Sequence, residues 1–364
     1  MARKMRSGYP TVTSIAKASN VIQMAMLSDQ SLPPAPLMHG GNVSAARILF
    51  PGAPEPFLDL STGINPFAYP VPPLDQPTFA RLPEPDAVAQ LQEVAARHYG
   101  APSPAHVVAA PGTQSLLLPV MRLVKPGRVA ILGPTYNEHA RVAAAAGHQV
   151  VEVTEVDVRE AGIVVVVNPN NPDGRLFGKD VMLALAQRTR AAGGFLLVDE
   201  AFVDAVGDEH SLAGEVSHGG IAVLRSFGKF FGLAGLRLGF ALASPDIAAR
   251  LRAALGPWAV SGPAITIGAT ALADHAWAHQ TRERLVAAAA RLDALLTEAG
   301  LILAGGTPLF RLVRTARAPQ LFYRLGVSGI LVRHFPDQPG LLRFGLPGAE
   351  PEWDKLREAF ARMR

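Results

Sequence analysis

The stretch IVVVVNPNNPDGRLFGKDVMLALAQRTRAAGGFLLVDE occupies residues 163–200 and decides the fold. It opens with a continuous β-branched run, which is typical of a strand buried on both faces. A polar turn follows, then a helical pattern over 179–192, then a second apolar run over 195–198. Strand, helix and strand in this order predict two parallel strands joined by a helix that covers the sheet.

The same alternation continues on both sides of this stretch, with Gly100 in the position that closes a helix. The further expected elements are helices over 86–98 and 136–146 and strands over 128–132, 148–153, 221–224 and 238–243. We therefore predict an α/β protein whose large domain is built on a mainly parallel sheet covered on both faces.

Changes in composition along the chain predict the domain organisation. Residues 1–28 contain no Asp or Glu, and residues 31–36 are rich in proline. Beyond 275, a long helical pattern over 276–299 precedes short strand-like runs, as in an α+β domain. The expected parts are a disordered tail or mis-called start over 1–36, an irregular N-terminal arm over 37–74 that joins the small domain, a large cofactor-binding domain over 75–255 and a small C-terminal domain over 256–364.

Composition excludes several classes of protein. Hydrophobic residues make up 49% of the chain and charged residues 18%, as in a globular protein with a large core. The net charge is +4 and no block of five like charges occurs, so we expect no nucleic-acid partner. The chain has no cysteine, which excludes disulfides and thiolate chemistry. His275 and His279 have helical spacing but no third ligand, so we expect no metal site.

No apolar run approaches the roughly 18 residues that a membrane span needs. We therefore expect no membrane partner and a cytoplasmic protein.

Lys229 is the lysine best suited to covalent chemistry. It stands between Gly228 and Phe230 in an otherwise apolar stretch, where burial would favour a neutral amine ready to form an imine. A surface lysine in a glycine-rich loop is the alternative. The other five lysines are expected in the tail, in a turn or on solvated helix faces: Lys4, Lys17, Lys125, Lys179 and Lys355.

Asp199 and Asn171 each follow an apolar strand-like run. An unpaired carboxylate at the end of a buried strand is costly, and pairing with a protonated pyridine nitrogen would remove that cost. The Asn171 amide can donate to a phenolic oxygen of the same ring. A helix cap or a metal ligand is the alternative for Asp199, and a plain Asx turn for Asn171. Glu200 is expected to be a packing or salt-bridge residue.

A phosphate site is expected at Gly112, Thr113 and Gln114, which follow an apolar run and open a helix. Backbone N–H groups at such a helix start bind phosphate, although simple capping by Thr113 would produce the same pattern. Ser226 and Arg237 would add a hydroxyl and a guanidinium to this phosphate.

Tyr136 is expected to stack on an aromatic cofactor ring, unless it is only a core tyrosine. A reactive lysine, a carboxylate for a ring nitrogen, an amide, phosphate donors and a stacking ring are the groups that pyridoxal 5'-phosphate needs. We therefore predict a pyridoxal-phosphate enzyme with Lys229 and Asp199 as its catalytic residues.

Four motifs in this order resemble those of the fold-type-I pyridoxal-phosphate enzymes, the aspartate aminotransferase superfamily. They are Asn171-Pro172-Asp173-Gly174, Val198-Asp199-Glu200, Ser226-Phe227-Gly228-Lys229 and Gly235-Leu236-Arg237-Leu238-Gly239. The resemblance covers nearly all of residues 38–364. It implies that the large domain contains a seven-stranded sheet of the kind found in this superfamily. It also implies a homodimer in which the arm, with apolar Phe57, Leu58, Ile64 and Phe67, packs across a subunit boundary.

A narrower resemblance, within the histidinol-phosphate aminotransferase branch, is to the L-threonine-O-3-phosphate decarboxylases. It rests on residues 39–42, 59–66 and 330–334, and on Phe202, where the aminotransferases usually carry tyrosine. It implies decarboxylation of a small phosphorylated amino acid for cobalamin synthesis.

The same resemblance implies four substrate-binding residues: His39, Asn65, Arg333 and Arg343. Arg343 would bind the substrate carboxylate, and Arg333, with His39, the substrate phosphate. A surface salt bridge is the alternative for each arginine.

Gly228 departs from the resemblance, because related enzymes usually carry Ser or Thr just before the lysine. The departure removes one side-chain hydroxyl that could donate a hydrogen bond to the cofactor phosphate. Two other functions fit the same motifs, namely histidinol-phosphate aminotransferase and a non-catalytic ligand sensor that retains the fold. The intact Lys229, Asp199, Asn171 and Arg237 argue against the sensor.

Overall fold

The structure, a computed structural model, describes residues 39–155 and 161–363. The expectation for residues 1–36 lies outside these ranges. By its internal contacts the described chain separates into a larger unit, 64–289 with 305–309, and a smaller unit, 39–63 with 290–304 and 310–363.

The larger unit is built on a seven-stranded sheet. Its strands are β2 (Val107–Ala110), β3 (Arg128–Leu132), β4 (Gln149–Val153), β5 (Ala161–Val167), β6 (Phe195–Asp199), β7 (Ile221–Arg225) and β8 (Gly239–Ala243), in the order β2-β8-β7-β6-β5-β3-β4. Only β8 runs against its neighbours β2 and β7, and the other pairs are parallel. The predicted α/β fold with a mainly parallel sheet is confirmed, since every strand predicted in this region is present within one or two residues.

Helices connect these strands and cover the sheet. In chain order they are α2 (Gln76–Ala80), α3 (Pro85–Tyr99), α4 (Gln114–Met121), α5 (Glu138–Ala145), α6 (Lys179–Ala191), α7 (Phe227–Phe230), α8 (Pro245–Leu255) and α9 (Gly262–Ala273), and α10 (His275–Glu298) runs on into the smaller unit. Gly100 ends α3 with φ +69°, a left-handed conformation that glycine adopts without strain, so the predicted helix end is confirmed.

The core of the larger unit lies between the sheet and the helices that cover it. Ile163 and Leu197 from the sheet pack with Leu116 of α4 and Leu251 of α8, and all four side chains are inaccessible to water. Burying a side chain of this size contributes about 1.5–3 kcal/mol. The continuous β-branched run of β5 is therefore explained by burial on both faces, as predicted.

The smaller unit carries a five-stranded sheet of mixed direction. Its elements are α1 (Val43–Leu49), β1 (Leu58–Leu60), β9 (Ile302–Thr307, which ends in the larger unit), β10 (Phe310–Arg314), α11 (Ala318–Val327), β11 (Ile330–His334), β12 (Leu341–Gly345) and α12 (Glu350–Ala361), with strand order β1-β11-β12-β10-β9.

The prediction of an irregular arm over 37–74 is wrong for residues 43–49 and 58–60. Residues 43–49 form α1, and Leu58–Leu60 pairs in parallel with Ile330–Val332 of β11. Phe50 packs edge-on against Phe322, with the ring centres 5.5 Å apart. Proline and glycine break this stretch into pieces too short to be recognised alone, and only distant partners along the chain stabilise them.

Leu58 is buried within the sheet of its own chain, at 7% exposure. Burial of this residue therefore gives no argument for a subunit boundary, whereas Phe57, Ile64 and Phe67 keep part of their surface. Phe67 also lies under the Arg284 guanidinium, 3.5 Å from the centre of its ring.

The division into units falls within α10, at 289/290, and not at 255/256, where composition places a domain boundary. Helix α9 packs along α3 of the larger unit, because Gly268 allows Leu91 and Leu238 to approach closely. The alanine-rich composition after Pro245 contains no signal of this packing.

Candidate active site

The candidate active site of the larger unit lies at one edge of its sheet. The parallel strands β5, β6 and β7 end there, at Val167, Asp199 and Arg225. Strand β8 is reversed, so it begins at this edge, where Gly239 pairs with Ala110 at the end of β2. In open α/β sheets this edge is where ligands bind.

The pairing of β2 with β8 brings Gly112 and Arg237 into contact, as the phosphate prediction requires. A Cβ atom on Gly112 would lie 2.7 Å from a terminal nitrogen of Arg237. Gly112 has φ +80°, and helix α4 begins two residues later with its first N–H groups at this edge. A small residue, a guanidinium and a helix start together make a cradle suited to phosphate.

Arg237 is held in a strained backbone conformation, since its φ is +56°. Its guanidinium donates to the Ala234 carbonyl at 3.1 Å and remains exposed. Thr113 makes no capping hydrogen bond to the helix backbone. The alternative interpretation of Thr113 as a plain helix cap is therefore not what the structure shows.

Lys229 lies on the short helix α7, directly after β7. Its Nζ atom is 5.9 Å from the centre of the buried Phe202 ring. Its carbonyl accepts a hydrogen bond from the Asn65 backbone N–H at 3.0 Å. The Asn65 side chain donates to the Phe230 carbonyl at 2.7 Å, and its Oδ1 accepts from the Phe67 N–H at 2.8 Å.

Asn65 thus holds the lysine-bearing turn to the segment before it. It is 2% exposed, and both ends of its amide contact the backbone. Its substrate-binding function stays a prediction.

Gly228 has a steric reason to be glycine. A Cβ atom there would lie 2.8 Å from Cα of Ala234, closer than real Cβ contacts come. A Ser or Thr side chain at this position would therefore push against the backbone that leads to Arg237. Ser226, two residues earlier, is half-buried and stands immediately before α7.

Asp199 is buried, and each of its oxygens has a partner. Oδ2 accepts a hydrogen bond from Nε2 of His139 at 2.9 Å, and Oδ1 accepts from the Ala201 N–H at 3.1 Å. His139 itself is fully buried on α5. Sequence reasoning missed His139, because a single histidine inside a predicted helix has no spacing signal. Glu200 pairs with Arg225, which confirms its predicted ion pair.

The turn that carries Asn171 is held by its neighbours. The Asn170 amide donates to the Pro134 carbonyl at 3.0 Å and to Asp173 at 2.7 Å, while its oxygen accepts from Thr135 at 2.7 Å. Asn171 is half-buried beside this network. The adjacent Asn170 side chain thus fixes the turn, and the donor function of Asn171 stays a prediction.

Tyr136 lies close to the pair formed by Asp199 and His139. Its ring stands edge-on to the His139 ring, with centres 5.9 Å apart. Its hydroxyl lies 3.4 Å from Oε1 of Gln114, and Nε2 of Gln114 donates to Glu138 at 2.9 Å. The Gln114 side chain therefore connects two residues at the start of α5, and its backbone N–H remains the candidate phosphate donor.

In the smaller unit, Arg333 of β11 and Arg343 of β12 are directly opposed in the antiparallel pairing. Arg343 is 7% exposed and donates to the Ser61 carbonyl at 2.9 Å. Burial, together with the neighbouring Arg333 charge, lowers the pKa of the Arg343 guanidinium to about 9. Two opposed cations of this kind are suited to an anionic ligand, which would favour the charged form of Arg343 again.

The segment that follows His39 packs against Ser61, the residue directly after β1. The Gly41 N–H donates to Oγ of Ser61 at 2.8 Å, and a Cβ atom on Gly40 would clash with the Ser61 carbonyl at 2.3 Å. Ser61 is also the residue whose carbonyl accepts from Arg343. The smaller unit therefore brings the exposed His39 segment and Arg343 to a common neighbour.

Neither a metal-binding cluster nor a membrane-spanning helix is found in the part of the chain that the structure describes. Across 39–155 and 161–363, no three His, Asp or Glu side chains are grouped so as to hold a metal ion. Among the described helices, none combines the length and hydropathy that a bilayer crossing requires.

Comparisons with known proteins place the chain in a family. The family model "Aminotransferase class I and II" matches residues 56–360. A threonine-phosphate decarboxylase of Sinorhizobium sp is 45% identical over 342 residues, covering 90% of this chain and 99% of that protein. The threonine-phosphate decarboxylase of Pseudomonas aeruginosa is 42% identical over 327 residues, covering 89% and 97%. A histidinol-phosphate aminotransferase of Sinorhizobium meliloti, solved with pyridoxal-5'-phosphate, has a TM-score of 0.74 at 20% identity, covering 93% of this chain and 97% of that one.

Proposed function

Because the chain belongs to the class I and II aminotransferase family, we propose that it uses pyridoxal 5'-phosphate to decarboxylate L-threonine O-3-phosphate to (R)-1-amino-2-propanol O-phosphate. The observation that favours an amino acid with two anionic groups is the opposed pair Arg333 and Arg343. This substrate has two anionic groups, a carboxylate and a phosphate, and the pair offers a guanidinium to each. Two relatives above 40% identity with the same printed activity support the proposal.

The residues at the sheet edge fit the cofactor. Gly112 and Arg237 form a cradle with space for a phosphate. A Cβ atom at position 112 would fill that space. The buried Asp199 carboxylate would keep a proton on the pyridine nitrogen, and Lys229 would hold the cofactor covalently through its amine. When bound, pyridoxal phosphate supplies an electron sink for the pair released by bond cleavage at Cα.

The protein's own contribution to decarboxylation is orientation. With the cofactor bound, the position in which the protein holds the substrate carboxylate would decide which bond at Cα is cleaved. We propose that Arg343 fixes the carboxylate and that Arg333, with His39, fixes the phosphate. Tyr136 would face the ring and Asn171 its phenolic oxygen.

Phe202 supports this choice of reaction through the resemblance to the decarboxylases at this position. It is buried below the lysine amine and presents a hydrocarbon ring where a tyrosine would present a hydroxyl. The phenolic oxygen of the cofactor would then depend on Asn171 for its donor.

Histidinol-phosphate aminotransferase is the second candidate, and the same arginine pair keeps it open. An amino-group donor such as glutamate also has two anionic groups. The deciding experiment offers purified protein phosphothreonine alone, or histidinol phosphate with 2-oxoglutarate, and analyses the products. Carbon dioxide and aminopropanol phosphate from the first mixture support the proposal. Amino-group transfer in the second mixture, with no carbon dioxide from the first, establishes the aminotransferase.

We further propose a homodimer that works in the cytoplasm and supplies aminopropanol phosphate for cobalamin synthesis. The larger unit exposes four large apolar side chains in two nearby segments: Val71, Phe79, Leu82 and Trp258. Residue Thr78 of α2 touches Gly262 at the start of α9, four residues after Trp258, so the two segments adjoin. An apolar surface of this kind is typical of a protein interface.

A further inference from the structure

Arg225, the last residue of β7, has no surface exposed to water. Its guanidinium lies 4.3 Å from the centre of the Tyr99 ring. Its hydrogen-bond partners are Glu200 at 3.3 Å, the Ser211 hydroxyl at 3.0 Å, Asp208 at 3.3 Å and Asp204. Removing such an ion from water is costly, so its burial directly beside the candidate cofactor site calls for a functional explanation.

Arg225 and its partner Glu200 are each next in sequence to a residue of the candidate cofactor site. Glu200 follows Asp199 directly, and Arg225 directly precedes Ser226. Asp199 bonds to His139, whereas Glu200 bonds to Arg225, so the two adjacent carboxylates have different partners. The ion pair therefore ties together the ends of β6 and β7, one step behind the residues that would bind the cofactor.

Glu200 is also held by the segment that contains Ser211 and Leu212. Its carboxylate accepts from the Ser211 hydroxyl at 2.6 Å and from the Leu212 N–H at 2.8 Å. Asp204 lies on the segment that follows Phe202, and Arg225 bonds to it as well. One guanidinium thus links β6, β7 and the segment that leads away from Phe202.

The electrostatics make this link hard to break. Burial raises the pKa of Glu200 against the attraction of Arg225. Burial acts in the same direction on Asp204, but the attraction of Arg225 and the contact with His98 outweigh it and lower the pKa of Asp204 to about 2. Without Arg225, buried carboxylates would lose their main counter-charge.

We propose that Arg225 is a positioning residue: by binding Glu200 and Asp204 it fixes the distance between Asp199 and the turn that carries Ser226 and Lys229. It would not touch the cofactor itself. The inference rests on the proposed use of pyridoxal phosphate, because only then must a carboxylate and a lysine amine meet two ends of one ring.

The test compares Arg225→Lys with Arg291→Lys. Arg291 makes similar contacts away from this site, with both terminal nitrogens on Glu350 at 2.6 and 2.7 Å and a guanidinium 4.3 Å from the Trp353 ring. Lysine keeps the charge but cannot make the forked contacts. Glu200→Gln, which removes the ionic partner at nearly constant shape, is the second variant.

Three properties are measured well below the melting temperature of each variant. They are the pyridoxal-phosphate Kd of the apo protein by fluorescence quenching, the pH midpoint of the visible absorption band, and borohydride incorporation at Lys229. For Arg225→Lys we expect a Kd raised about tenfold or more and a shifted midpoint, because small misplacements of positioned groups are costly. Glu200→Gln should move both in the same direction by less, and Arg291→Lys should match wild type.

Folded Arg225→Lys and Glu200→Gln proteins with wild-type Kd and midpoint would overturn the proposal and leave Arg225 a purely structural residue. Failure of both variants to fold would overturn it too. If only Arg225→Lys fails to fold, Glu200→Gln decides. Should wild type itself bind no pyridoxal phosphate, the proposed function fails first, so the two failures are distinguishable.

Discussion

Asp199 and His139 form a buried hydrogen bond of 2.9 Å between the end of β6 and helix α5. Because a carboxylate can only accept, Nε2 of His139 must carry the proton, and this fixes the tautomer of the imidazole. The bond holds Asp199 in one orientation at the edge where Lys229 also lies. It is the contact on which the assignment of Asp199 most depends.

The first prediction therefore concerns this pair. In Asp199→Asn, cofactor should still bind but turnover should fall by several orders of magnitude, since a neutral pyridine accepts electrons poorly. His139→Phe should cause a smaller loss, because it removes one hydrogen bond to a charged group, worth about 1.5–3 kcal/mol. Cofactor Kd and kcat are measured for each. Near-normal turnover in Asp199→Asn would show that Asp199 is not the partner of the pyridine nitrogen.

The second prediction tests the covalent lysine. The purified protein should be yellow, and Lys229→Ala should lose the visible band. Lys179→Ala is the matched control, since Lys179 pairs with Glu215 on the surface at 2.6 Å. Borohydride reduction followed by peptide mass analysis should label Lys229. A label elsewhere, with Lys229 unmodified, contradicts the assignment.

The third prediction concerns the glycine before the lysine. Gly228→Ser should destabilise the protein by about 1–3 kcal/mol, because its side chain would press on the Ala234 backbone. It should weaken cofactor binding, although it adds a hydroxyl. Gly235→Ser is the control, since a Cβ there meets nothing within 4 Å. Urea unfolding and cofactor titration check both. Tighter cofactor binding by Gly228→Ser would show that the hydroxyl matters more than the space.

The fourth prediction concerns the opposed arginines. Phosphothreonine should raise the melting temperature of wild type through binding to the native state, and Arg333→Ala and Arg343→Ala should each lose most of this rise. Cofactor binding should change far less. Arg324→Ala, at an exposed position on α11, should behave as wild type. If Arg343→Ala keeps both the thermal shift and the KM of wild type, the carboxylate binds elsewhere.

The fifth prediction tests the proposed dimer. Leu82→Glu should shift the protein towards monomer in light scattering, because it places a charge in the apolar surface around Phe79 and Trp258. Val181→Glu introduces the same charge on α6, where the valine is 58% exposed against 62% for Leu82, and should stay dimeric. A fully active wild-type monomer at micromolar concentration would contradict the dimer itself.

The sequence by itself determined the mainly parallel sheet of the larger unit and the edge at which its polar residues meet. The run before Asn168 had to be a buried strand, and the polar residues that follow such strands had to meet at one edge, since parallel strands end together. Lys229, Asp199, Arg237 and the segment from Gly112 could be identified in this way because their chemistry depends on residue type and on position after a strand.

Only the tertiary structure decided the contacts that join distant segments. His139 with Asp199, Arg225 with Glu200, and Gly228 with Ala234 leave no periodic signal, because each depends on how two elements pack. The ordered parts of the arm were missed for the same reason, since Leu58–Leu60 becomes a strand only where β11, far along the chain, offers its hydrogen bonds. Local patterns report which faces are buried, whereas the three-dimensional fold decides which groups meet.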